Sequence, residues 1–262
     1  MRSDELRKYG QALLERNPER VAASEVLDLM AYLIECDFVG AEAKLSTIKY
    51  RFKDTVDQIY VDEATTLAKA HIDFAFGRFS ELEISANQFL THHKSLPNLE
   101  EGEFLDVLRL LAQKALILDE NEQLEKLYQQ VQEYEVEDSS VNILYLINSV
   151  AAIYFLVAGD CYKAQEIAIR NIEIARQHGY SGLMAPIDSL YVLASCKQNF
   201  AQKSEAARIF KEVMKLSEKL QQWPWYFISE GILAKELAHS GRITDSLAII
   251  REQKLKLTSF IF

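Results

Sequence analysis

The sequence predicts an all-α chain of stacked helical hairpins, and three observations carry that prediction. Apolar residues make up 49 % of the 262, while four prolines and nine glycines leave little punctuation for an all-β fold. The long segments are rich in Leu, Ala, Glu, Lys and Gln, which are strong helix formers. The third observation is a register. Gly77, Gly159 and Gly241 stand 82 residues apart at each step, and each precedes a charged residue (Arg78, Asp160, Arg242). Seven residues before them stand Ala70, Ala152 and Ala234. Other turns fall midway, at Asp119-Glu120-Asn121 and Gln198-Asn199-Phe200, and Cys36-Asp37 fits one step earlier. The unit is therefore a hairpin of about 41 residues, because stacking buries what one hairpin cannot. Six hairpins and a leading helix make one domain over 1–262, a right-handed superhelix of the α-solenoid kind.

The elements follow in order. Ser3 is a candidate cap for a first helix over 4–16, carrying Leu6, Tyr9 and Leu13 at helical spacing. Pro18 restarts the chain at a first helical position. Helices over 19–35 and 39–52 flank the turn at Cys36-Asp37. A longer helix over 57–76 ends at Gly77, and another over 80–94 ends before Pro97. Helices over 101–118 and 122–134 precede a charged linker, 135–140. The hairpin from Val141 to His178 organises the rest. Its first half is apolar almost all round, which marks an inner helix. Gly159-Asp160 closes it, with Gly159 expected in the left-handed conformation. The second half has one wet face. The loop Gly179–Gly182 and Pro186 lead to a helix reaching 197. Helices over 201–220, from Trp223-Pro224-Trp225 to Ser240, and over 244–257 complete the array, and 259–262 form a short apolar tail.

Net charge is −10, and it is concentrated. Residues 98–140 hold twelve acidic side chains and three basic ones (Arg109, Lys114, Lys126), which reads as a solvated face and argues against nucleic acid there. Cys36, Cys161 and Cys196 are scattered, as free thiols in a reducing, cytoplasmic setting would be. The N-terminus lacks the apolar core of a signal peptide. Residues 139–159 carry no charge, yet Asn142, Asn148 and three serines dilute them, so a buried helix is expected and no membrane span.

The small–glycine–small pattern at Ala152, Gly159 and Ala164, and again at Ala234, Gly241 and Ser246, resembles the tetratricopeptide repeat. The likeness covers about 21–257. The units exceed the usual 34 residues, and the closing proline is mostly absent. The runs AGDCYKAQEIAIRNIEIARQHGY and PWYFISEGILAKELAHSGRITDSLAIIREQ resemble the sensor domain of LuxR-type transcriptional activators of the maltose-activator kind. That resemblance implies a cytoplasmic sensor that binds an effector or a protein segment. Any DNA-binding part would lie outside this chain.

No zinc-protease, nucleophile-elbow, phosphate-loop or dinucleotide motif occurs, and the abundant carboxylates fall at wet positions, so neither an enzyme nor a cofactor or metal is expected. His92-His93 is the one histidine pair, but adjacent positions point apart on a helix. Trp223 and Trp225 read as packing anchors. The candidate ligand-binding residues are Asn148, Asp188, Tyr191 and Glu230. They are polar positions on apolar inner helices that would line a concave groove, where they either bond between repeats or meet a peptide or small effector. Two functions are expected in competition: a sensor domain of a transcriptional regulator, or a free-standing adaptor joining proteins. A homodimer fits either.

Overall fold

The computed structural model describes residues 3–17, 19–93, 101–134 and 140–261, apart from the side chains of 92, 93 and 257–261. Pro18, Pro97, the His92-His93 side chains, the linker at 135–139 and the side chains of the tail lie outside this description. Among the described residues the chain is helical throughout, with thirteen α-helices and no strand. They are α1 (Ser3–Arg16), α2 (Val21–Ile34), α3 (Phe38–Arg51), α4 (Gln58–Ala75), α5 (Phe79–His93), α6 (Glu101–Ile117) and α7 (Asn121–Val131). Then follow α8 (Val141–Val157), α9 (Cys161–Gln177), α10 (Ile187–Asn199), α11 (Lys203–Lys219), α12 (Trp223–His239) and α13 (Ile243–Ile261). A 3-10 turn at Gly182–Met184 precedes α10. Consecutive helices pack as pairs along the chain.

The caps explain the boundaries. Asp37 accepts from Gly40 N at 2.9 Å and Asp160 from Lys163 N at 3.1 Å, starting α3 and α9. Ser140 caps α8 through Ile143 N. Ser3 is not a cap: it stands inside α1.

The glycine register is a backbone register. Gly77, Gly159 and Gly241 have φ of 68°, 83° and 81°, so each closes its helix in the left-handed conformation. Cys36, Asp119 and Ala201 take φ of 56°, 60° and 60° at the midway turns, without glycine's freedom. Ala201 is therefore a turn residue, and α11 begins two residues after the expected start. At Gly77 and Ala201 alike, the next N–H reaches back to the carbonyl five residues earlier (Arg78 to Asp73, Gln202 to Lys197). No atom beyond its chain neighbours lies within 4 Å of a Cβ built at Gly159, so any substitution cost there is conformational. Gly159→Val is expected to destabilise the fold by about 1 kcal/mol or more, whereas Ala201→Gly stabilises it by about 0.5 kcal/mol. Urea unfolding of the two variants checks both signs.

α8 packs on α6, α9 and α10, which is why its face-less apolar run is stable in water. Tyr145, Val150 and Ile153 are wholly buried in it. Full burial of each such side chain contributes about 1.5–3 kcal/mol. The chain's early helices also meet its late ones. α4 touches α12, where the Phe74 and Trp225 rings lie 6.4 Å apart. α2 touches the 3-10 turn, and a Cβ at Gly182 would fall 2.3 Å from the Ile34 carbonyl oxygen. Only glycine fits that approach. Among the described residues, no helix is long and apolar enough to cross a membrane.

Candidate functional site

The polar residues of the inner helices converge on a buried ionic network. Asp106 and Arg109 lie one turn apart on α6, and Arg109 Nη2 donates to Asp106 Oδ1 at 2.7 Å. His71 of α4 meets the other oxygen of Asp106, with Nε2 at 2.9 Å. Arg109 also donates to the Leu183 carbonyl at 3.2 Å and lies 3.7 Å from Asp188 Oδ2. Asp188 completes the set. Its carboxylate accepts from Gln113 Nε2 at 2.8 Å, from the Ser149 hydroxyl and from the Ser189 amide at 2.7 Å. The network thus ties α4, α6, α8 and α10 together. Burial alone would push the Asp106 carboxyl up, but the charges of Arg109 and His71 outweigh it and hold that carboxyl well below the usual range. Burial, with the Asp188 charge adding to it, pushes the Tyr145 hydroxyl well above its ordinary value.

This arrangement corrects the expected placement of the candidate residues. The sequence places Asn148, Asp188, Tyr191 and Glu230 along a concave groove, either bonding between repeats or meeting a ligand. All four are interior, and Asp188 is only 1 % exposed. Side chains of α6 and α8 enclose Asp188, and rings of α11 and α12 enclose Tyr191. Nor do the four converge. Asp188 belongs to the Arg109 network. Tyr191 stacks among aromatics, 5.1 Å from the Trp225 ring and 5.7 Å from Phe210, and burial pushes its hydroxyl up to about 12. Glu230 accepts from the Tyr226 hydroxyl at 3.3 Å, and burial raises its carboxyl. Asn148 leaves its Nδ2 without a hydrogen-bond partner. The space between His71, Arg109, Gln113 and Gln222 is about 10 Å³, room for roughly one water molecule and no substrate. The network is a clamp between helices.

Sequence reasoning missed His71, Asp106, Arg109, Gln113 and Ser149. One signal was present: residues 106, 109 and 113 form a polar stripe at helical spacing, and the residues between them are apolar. The thiols are buried too, and burial pushes Cys36 and Cys196 up to about 12, which leaves them poor nucleophiles at neutral pH.

Two accessible features lie at the C-terminal hairpin. Between α11 and α13, with α12 beneath, lies a wedge-shaped cavity of about 530 Å³. Its apolar wall includes Ala207, Phe210, Leu233, Leu237 and Ile249. Glu236 sits on its rim, where Gln198 donates to it at 3.0 Å and Lys203 pairs with it at 3.1 Å. Those two contacts hold the Glu236 carboxyl below its ordinary value. On another face of α13, Ile243, Leu247 and Ile250 form an exposed apolar stripe at helical spacing. No known family, curated protein or solved structure matches this chain.

Proposed function

We propose that this chain is an interaction module, a tetratricopeptide-like α-solenoid of six hairpins and a leading helix, whose docking edge is the outer stripe of α13. One observation carries the reading. Shifted by the 82-residue register, Ile243 corresponds to Cys161 and Ile250 to Ala168. Cys161 is 8 % exposed and Ala168 0 %, and Cys161 meets Asn199 at the end of α10, the next inner helix. Ile243 and Ile250 are 61 % and 48 % exposed. The face that α10 covers on α9 is thus exposed on α13. A partner's amphipathic helix with small residues at the crossing fits it, by the same packing that seats α10 on α9.

The finer reading is the sensor part of a LuxR-type transcriptional regulator in the cytoplasm, with α13 relaying to an attached or partner module. It is supported by the likeness over 141–253 and by three buried, unpaired cysteines. Direct contact with nucleic acid is left to another module. Of the buried candidates, Asp188 and Tyr191 hold helices together in this reading.

The test combines Leu247→Asp with Ile250→Asp. Both side chains are exposed, so stability should stay within about 0.5 kcal/mol. Partners that co-purify with the wild-type chain should be lost. Undiminished co-purification by the folded double variant overturns the assignment.

A further inference from the structure

The wedge between α11 and α13 is independent of the docking stripe, and its charges say what it would hold. Its lining carries three cations, Lys203, Lys211 and Arg242, against one carboxylate, Glu236. Two of those cations are already engaged: Lys203 by Glu236, and Arg242 by Asp245 at 2.7 Å. Lys211 makes no ion pair with any described residue. It stands eight residues from Lys203 on the same helix, about 12 Å at 1.5 Å per residue. Between them run Ala207, Phe210, Leu233 and Leu237, and Ile249 closes the wedge from α13. An apolar trough with an uncompensated cation at one end is complementary to an apolar chain with an acid at one end. A cavity of about 530 Å³ falls in the size range of small-molecule sites.

We propose that this wedge binds a medium-chain carboxylate, a linear apolar chain of about eight to ten carbons by the 12 Å reach. The acid group meets Lys211 Nζ, and the chain lies along Phe210 and Leu233 toward Leu237. A neutral alcohol of the same length would bury the same chain but leave Lys211 without its counter-charge. A cationic head in the same place would meet the like charge of Lys211. Because the chain would touch Phe210 on α11 and Ile249 on α13, its binding fixes α13 against α11. The proposed docking stripe lies on another face of α13, so an occupied wedge also steadies that edge.

Isothermal titration of the full-length chain with decanoate, decanol and decyltrimethylammonium, each below its aggregation concentration, tests the proposal. Decanoate is expected to bind about threefold tighter than decanol, the scale of an ion pair to an exposed lysine. Decyltrimethylammonium should not bind. Lys211→Gln should weaken decanoate about threefold and leave decanol unchanged, and Lys211→Arg should restore it. Ala207→Phe, which fills the trough, should abolish binding of both chains. Circular dichroism and urea midpoints establish that each variant is folded. Equal affinity for decanoate and decanol, or an unchanged decanoate affinity in folded Lys211→Gln, overturns the proposal. Neither result touches the docking stripe, which is read by the Leu247 and Ile250 substitutions.

Discussion

Replacing Arg109 by Met should destabilise the fold by about 3–5 kcal/mol, the cost of removing one partner from a buried ionic set. Arg109 is 3 % exposed, and its guanidinium stands between Asp106 and Asp188. Met fills much of the volume, so the loss is electrostatic and not a cavity. The pH dependence separates the two. In the wild-type chain the Asp106 carboxyl is held below its unfolded value near 3.9. Its stabilisation is therefore complete above that pH and is lost as pH falls through the lower folded value. In Arg109→Met, Asp106 loses that counter-charge and its folded value rises. Protonation then relieves the defect, so the gap from wild type should narrow between pH 7 and pH 4. Adding Asp106→Asn to Arg109→Met should recover part of the loss at pH 7. Urea unfolding at the two pH values reads both effects. A gap below about 1 kcal/mol that does not change with pH would show that Arg109 is not the clamp's central charge.

The second large effect is expected at Trp225. Trp225→Ala should cost about 3–5 kcal/mol, as removal of a buried large aromatic does. The ring is fully buried between Phe74 of α4 and Tyr191 of α10. It is the main aromatic contact between the early and late helices, so the variant should also lose near-ultraviolet circular dichroism. Trp225→Phe should cost less, about 1–2 kcal/mol. It keeps a ring in place and removes an indole N–H that has no hydrogen-bond partner. If Trp225→Ala unfolds at the wild-type urea midpoint, the contact between α4 and α12 does not support the fold.

The sequence made the hairpins legible because their closure depends on local chemistry. Gly77, Gly159 and Gly241 announce a left-handed turn by residue type alone. Ala201 adopts the same turn with a side chain that signals helix, and only its place in the register reveals it. The clamp was harder to see, because its partners are distant in sequence. Gln113 meets Asp188 across 75 residues, and Lys114 meets Glu83 across 31. Within the acidic stretch, Arg109 and Lys114 read as members of a wet face, yet both are 3 % exposed. Periodicity gives a residue's helix face but not the element packed against it. The same limit moved Asp188 and Tyr191 from an expected groove to the interior. It also hid the wedge, since Lys211 on α11 is an ordinary exposed lysine until α13 is placed beside it.

Site-specific photo-cross-linking inside cells tests most directly where this chain meets its partners. A benzoylphenylalanine would be placed at position 247 on the α13 stripe, and separately at 195, beside Tyr191 on α10. Cross-links to a helical segment of another protein from 247, with none from 195, are the predicted result. Cross-links from 195 with none from 247 would return binding to the inner helices and contradict the assignment of the docking edge to α13.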